Sequence, residues 1–191
     1  MKYKLLSDYY KDWPKSGEYV NDLKLVKKRV IEYLKNFTKK NAVAIFDLDD
    51  TVFYTDPLKI HNVEALSEKY HRLVYPANKE IVDIVNYCND NSIKIIFITA
   101  RPPDSEESSI FNIKLLGMKY YKLYHNPEYP DSKFKIKLKQ DLAKKYSVIL
   151  SIGDNWNDLK GLKKCLCIKL PSPDKPDVYF SYDNEKYHKL E

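Results

Sequence analysis

Apolar residues recur along this chain with two different periods. Val20, Leu23, Val30, Ile31, Leu34 and Phe37 fall at helical spacing, which predicts an amphipathic helix over 20–37 with Asp22 at its entry and Asn41 as its stop. Ala42–Phe46 is a short continuous apolar run of the kind that forms a strand buried on both faces. The same alternation continues: a helix over 77–91 carried by Ile81, Ile84, Val85 and Cys88, a strand over 93–99, and a helix over 104–117. Asp104 or Ser105 caps that third helix and Gly117 stops it. Strands are then expected at 121–125, 147–152 and 166–170, separated by helices at 135–146 and 155–164. The proline-bearing tail from Pro171 reads as mostly irregular.

Apolar strands alternating with amphipathic helices specify an α/β fold: a doubly wound parallel sheet covered on both faces. The 191 residues are expected to form one domain over 1–191, with an N-terminal helical segment at 1–41. Residues 56–76 have a poor apolar pattern and many aromatic and His residues, so they read as a small cap-like insertion. No internal repeat or linker interrupts the pattern.

Charge and cysteine content change this picture little. The net charge of +6 suits an anionic ligand but also describes a solvated Lys-rich surface. Cys88, Cys165 and Cys167 form no CxxC pair and read as small buried residues of a reducing compartment. The start, MKYKLLSDYYKDW, lacks an apolar leader, and no stretch is long enough to span a membrane. A cytoplasmic protein without membrane partners is the expectation.

The strand ends carry the chemistry. The first ends in Asp47-Leu-Asp49-Asp-Thr51, the second in Thr99-Ala-Arg101, and the fourth in Gly153-Asp154-Asn-Trp-Asn-Asp158. In a parallel sheet these ends share one edge, the edge at which such folds bind ligands. Period two directs Asp47 and Asp49 to the same side, and carboxylates so close repel unless a cation or proton relieves them. Asp47, Asp49, Asp154 and Asp158 make an all-oxygen set for a hard cation, and few protein ligands with room for water favour Mg²⁺. An EF-hand is excluded, because the loop Gly and the closing Glu are missing. With four glycines in the chain there is no Gly-rich phosphate loop either, so a phosphate needs metal, Lys, hydroxyls and amides.

IFDLDDT, ITAR, a downstream Lys and IGDNWND resemble the four ordered motifs of the haloacid dehalogenase (HAD) superfamily of phosphatases and phosphotransferases. The likeness extends to its branch of class B-like acid phosphatases and plant vegetative storage proteins, through SGEYVNDLKLVKKRVIEYL and GDNWNDL, and covers most of residues 16–170. The resemblance implies a HAD-like Rossmannoid sheet with a minimal cap, and a Mg²⁺-dependent phosphomonoester hydrolase acting on a small phosphate ester. It implies Asp47 as the nucleophile that forms an aspartyl-phosphate and Asp49 as general acid/base, with the backbone carbonyl of Asp49 on the metal. It further implies Thr99 on the phosphoryl group, Asp154 on the metal, and Asp158 on the metal through water or orienting its neighbours. Lys133, Lys135, Lys137 and Lys139 compete for the motif lysine; alignment back from Gly153 selects Lys135, with Lys139 replacing an Arg of the branch on the same helix face. The usual Gly of the second motif is here Ala100, which removes no functional group. Storage members can lack the nucleophile; Asp47 is present here.

Blander roles stand beside these. Asp50 is expected to face away from the site, Thr51 to brace the turn, and Asn155 to cap the following helix. Arg101 divides between phosphate contact and structural pairing. His61 and His71, with the aromatics Phe53, Tyr54, Tyr70 and Tyr75, could line a leaving-group site or simply pack. The lysines of SKFKIKLKQDLAKK open a rival reading as a polynucleotide end-phosphatase or 5′-nucleotidase. A non-catalytic storage or binding protein is the other alternative.

Overall fold

A computed structural model describes residues 16–37, 41–55, 75, 77–129, 131, 133–171, 177–182 and 186–189. The expected cap at 56–76, including His61, Tyr70 and His71, lies outside these residues apart from Tyr75.

The strand β1 (Ala42–Phe46) is buried along its whole length, and it divides the core by side-chain alternation. Ala42, Ala44 and Phe46 join the cluster under the first two helices, whereas Val43 and Ile45 join the cluster on the opposite face. Helix α1 (Ser16–Lys35) packs through Tyr19, Leu23, Val26, Val30 and Leu34. The buried stripe is therefore turned slightly from the expected one: Val20 and Ile31 are only half-buried. Helix α2 (Lys79–Asp90) lies alongside, burying Ile81, Ile84, Val85 and Cys88 as expected, and Lys27 of α1 pairs with its Glu80 and Asp83.

Strand β2 (Lys94–Ile98), helix α3 (Glu106–Leu115), the short strand β3 (Lys122–Tyr124), helix α4 (Phe134–Lys145), β4 (Ser147–Gly153) and β5 (Leu166–Lys169) follow in order. The sheet order is β3-β2-β1-β4-β5, all parallel, extended by β6 (Tyr179–Ser181) and β7 (His188–Lys189), which run antiparallel. The chain leaves β1 toward β2 and β3, then returns to the other side through β4. The switch point thus falls between β1 and β4, where a ligand crevice is expected in such sheets. Among the described residues no helix is long and apolar enough to cross a membrane.

Two expectations are corrected. The helix expected over 155–164 is a single 3₁₀ turn, Trp156–Asp158, followed by a turn through Gly161. Gly161 has φ +88°, and a Cβ there would come within 2.8 Å of the Ile136 carbonyl. The chain bends there to bring Leu159 and Leu162 into the core, a path that a continuous helix does not follow. The tail, expected to be irregular, adds β6 and β7. Period two in β6 sends Phe180 under the Arg29 guanidinium, 4.2 Å from its ring centre, and Tyr179 against Trp156, ring centres 5.4 Å apart.

Candidate active site

Asp47 follows the last residue of β1, and its amide donates to the Ile152 carbonyl at 3.0 Å, which continues the β1–β4 ladder by one step. The carboxylate therefore emerges at the switch point. Asp154 follows β4 directly, and the 3₁₀ turn returns Asp158 to the same place. Ligand oxygens of Asp47, Asp154 and Asp158 lie within 4.8 Å of one another. The turn is held on both sides. Asn155 accepts from the Asn157 amide at 3.0 Å, Asp158 Oδ2 accepts from the Asn155 amide at 3.0 Å, and Ser151 Oγ donates to the Asp158 carbonyl at 2.7 Å. Gly153 makes the return possible, since any Cβ there would collide with the Asp158 side chain.

The four competing lysines differ in burial and in contacts. Lys135 is buried, and its Nζ donates to Asp47 Oδ1 at 2.8 Å and to Asp158 Oδ1 at 2.6 Å. Lys139, one turn on, is also buried and donates to the Asn157 carbonyl at 2.7 Å, bracing the turn from below. Burial draws the Lys139 ammonium down to about 8. Lys133 and Lys137 are exposed.

One ammonium facing three carboxylates leaves an excess of negative charge. Burial, then the neighbouring Asp158, push Asp47 up to about 7 against the pull of Lys135. Burial, Asp158 and Asp47 likewise push Asp154 well above the usual carboxylate range. Burial opposes the charge on Lys135, but Asp158 and Asp47 outweigh it and hold the ammonium protonated. All-oxygen donors, surplus negative charge and an adjoining cleft of about 270 Å³ fit a hard divalent cation. Asp47, Asp49, Asp50, Ala100, Lys135, Asp154, Asn155, Asn157 and Asp158 line that cleft.

The Asp49 side chain is not in the carboxylate group. It turns to Arg101, which grips it through Nη2 (2.7 Å to Oδ1) and Nε (2.9 Å to Oδ2). Burial would raise the Asp49 carboxyl, but the guanidinium overrides this and lowers it. Thr99 Oγ1 accepts from the Arg101 amide at 3.1 Å and lies 3.3 Å from Asp49 Oδ2, to which it donates. Thr99, expected to meet a phosphate, and Arg101, divided between phosphate contact and structural pairing, thus both face Asp49. Asp50 departs from its expectation of facing away. Its backbone turns through φ +50° and it lines the cleft, where its carboxylate accepts from the Thr55 amide and hydroxyl. Thr51 is buried in the turn that closes with the Val52 and Phe53 amides on the Leu48 carbonyl.

Sequence reasoning missed Ser151, Ser109 and His125. Ser151 was hidden inside an apolar strand. Ser109 belongs to a buried polar stripe made of Ser105, just before α3, and Ser108, Ser109 and Asn112 on it, and its spacing of three and four was the available signal.

The chain matches the family model described as HAD superfamily, subfamily IIIB (acid phosphatase), over residues 3–179. It is similar to vegetative storage protein 1 of Arabidopsis thaliana, with 27% identity over 175 residues, covering 83% of this chain and 65% of that protein. Vegetative storage protein 2 of the same plant is 28% identical over 184 residues, covering 87% of this chain and 69% of that protein. The chain thus spans about two thirds of the length of these relatives. Among solved structures, the class C acid phosphatase from Bacillus anthracis aligns with a TM-score of 0.62 at 16% identity, over 83% of this chain and 72% of that one. Its tungstate-bound form gives a TM-score of 0.61 at 16% identity, over 83% and 71%. At that identity the likeness concerns the fold.

Proposed function

The chain belongs to the HAD superfamily, subfamily IIIB acid phosphatase family, and from that premise we propose that it is a Mg²⁺-dependent phosphomonoester hydrolase working through a phosphorylated Asp47. The observation that carries this reading is the contact of Lys135 with Asp47 and Asp158, beside Asp154 and an open cleft.

In this reading Asp47, Asp154 and the backbone carbonyl of Asp49 would hold the cation, and Asp158 would reach it through water or orient its neighbours. When bound, Mg²⁺ supplies charge neutralisation for the phosphoryl group and for the carboxylate that approaches it. Lys135 orients Asp47 and donates to a phosphoryl oxygen, and the Thr99 hydroxyl adds a second donor once it leaves Asp49. An Asp47 oxygen attacks phosphorus, and the bond to the ester oxygen breaks as Asp49 delivers a proton to it; because Arg101 favours the Asp49 carboxylate, that proton is held in acidic solution. Asp49 then takes a proton from water, whose oxygen attacks phosphorus and breaks the bond to Asp47. A small phosphate ester is the substrate class that a cleft of about 270 Å³ accommodates.

A second reading is favoured by the relatives themselves, which are named as storage proteins. Against it, the nucleophile, acid/base, hydroxyl and lysine positions are all filled here. Turnover of p-nitrophenyl phosphate with Mg²⁺ separates the two. The expected result is hydrolysis that excess EDTA abolishes and that Asp47→Asn removes, while Asp49→Asn retains slow phosphorylation of Asp47 by esters with good leaving groups. Activity surviving in Asp47→Asn rejects the covalent route, and no activity in the wild type favours storage.

A further inference from the structure

Helix α3 buries an unusual stripe. Ser105 just before the helix and Ser108, Ser109 and Asn112 within it occupy a face where a packed helix normally presents apolar residues, and all four are at most 2% exposed. Burying polar groups is unfavourable unless they are hydrogen-bonded, so a stripe like this needs a physical reason.

The partners of Ser105, Ser109 and Asn112 supply one; the Ser105 hydroxyl donates to the Pro102 carbonyl at 2.6 Å. Asn112 Oδ1 accepts from the Tyr75 amide at 2.9 Å, fixing a ring whose centre lies 4.7 Å from the Arg101 guanidinium carbon. Ser109 Oγ lies 3.2 Å from Arg101 Nη1, 3.1 Å from His125 Nε2 and 3.1 Å from the Ser105 carbonyl. A hydroxyl has one hydrogen and two lone pairs. With its hydrogen on the Ser105 carbonyl, Ser109 accepts from Arg101, and the remaining lone pair requires His125 to carry its proton on Nε2. The far edge of the same guanidinium grips Asp49.

We infer that Ser109 and Asn112 of α3, with His125, form a positioning device for Asp49: His125 and Ser109 orient Arg101, Asn112 holds Tyr75 behind it, and Arg101 fixes the carboxylate. The Asp49 side chain is thereby kept out of the carboxylate cluster of Asp47, Asp154 and Asp158 and ready beside the cleft. The hydroxyl requires a proton on Nε2, and burial, which lowers the His125 imidazole, favours the neutral form that carries it. The catalytic meaning of this device rests on the phosphatase reading; its geometry does not.

The test has a spectroscopic arm and a kinetic arm. Long-range ¹H–¹⁵N spectra of the wild type should show His125 as the neutral Nε2–H tautomer and a slowly exchanging Arg101 Nε–H signal that Ser109→Ala weakens. Kinetics use p-nitrophenyl phosphate, a good leaving group, and glycerol phosphate, a poor one, each with Mg²⁺. Ser109→Ala and His125→Ala should lower kcat on glycerol phosphate about tenfold or more, with less effect on the aryl ester, because misaligning an acid/base falls hardest on the leaving group that needs its proton. KM should stay within about twofold, as for an interaction made only in the transition state. His125→Gln, whose amide can replace the Nε2–H donor, should recover most of the loss.

An Nδ1–H or charged His125 overturns the inference, as does a fall in activity carried by KM, or a His125→Gln variant as impaired as His125→Ala. If Ser109→Ala does not fold, the wild-type tautomer and the two His125 variants still decide. A wild type that turns over neither ester rejects the phosphatase reading, while the spectra still decide the geometry.

Discussion

Lys135 Nζ donates to Asp47 Oδ1 at 2.8 Å, joining residues 88 positions apart in the chain. Asp47 ends a strand and Lys135 begins a helix, so the contact exists only when β1, α4 and the sheet are assembled. It leaves a carboxylate that is oriented but not neutralised, because Asp158 shares the same ammonium. Asp47 and Asp154 therefore sit where a proton or a cation is welcome, and that condition is measurable without any substrate.

In the metal-free protein, Asp47 has a folded pKa of about 7 against an ordinary 3.8, and Asp154 moves in the same direction. Between those values the folded state holds protons that the unfolded chain has released, so this site loses stability as pH rises from about 4 to about 7. Asp49, lowered by Arg101, acts oppositely: its contribution is present above its ordinary value and is lost on acidification below it. Mg²⁺ favours the ionised cluster and binds the folded state, adding about 2.7 kcal/mol at a hundred times its Kd. Melting temperatures in EDTA should fall across that window, and Mg²⁺ should flatten the fall and raise Tm most at its upper end. A metal-free Tm that climbs steadily through the window contradicts this electrostatic account.

Gly153 offers a structural test of the same centre. A methyl group there would collide with the Asp158 Cβ and carboxylate, and the clash cannot be relieved while Asp158 keeps Lys135 and the Asn155 amide. Gly153→Ala should cost about 1–3 kcal/mol, as overpacking does. The Tm increase on adding Mg²⁺ should shrink along with it. A variant with wild-type stability and an undiminished Mg²⁺ response would show that the turn adapts and that the close approach is not required.

Much of this arrangement is legible in the amino-acid order, because its signals are local. Apolar runs locate the parallel strands, strand ends locate the acids, and a four-residue interval puts Lys135 and Lys139 on one helix face. What escapes the sequence depends on contacts between distant segments. The polar spacing on α3 is visible in the sequence, but its purpose depends on Arg101 and Tyr75, which lie elsewhere in the chain. Asp50 enters the cleft because its backbone takes φ +50°, which a strict period-two reading cannot anticipate. Strands β6 and β7 are only three and two residues long, too short to show a period, and owe their place to the edge of β5 and to packing on Arg29 and Trp156.

The lysines of α4 decide between a small ester and a polynucleotide substrate. Lys135 and Lys139 are buried toward the site, whereas Lys137, Lys144 and Lys145 are exposed, and Lys144 pairs with Asp141. If the exposed three tracked a single-stranded backbone, counterion release would give kcat/KM on oligonucleotides a log–log salt slope of about −2, from three contacts at about −0.7 each. An enzyme that contacts mainly one phosphoryl group, through Lys135 in a partly enclosed cleft, is screened much less. The expected result is that mononucleotides and simple esters are turned over at least as well as 3′- or 5′-phosphorylated oligonucleotides, with shallow salt dependence. Neutralising Lys137, Lys144 and Lys145 together should then leave both substrates almost unaffected. Lys135→Ala alone should cost on the order of a hundredfold or more in kcat/KM, the scale of a lost transition-state donor. If instead the triple change cripples oligonucleotide turnover and spares mononucleotides, the exposed face of α4 is the substrate track, and the enzyme acts on polynucleotide ends.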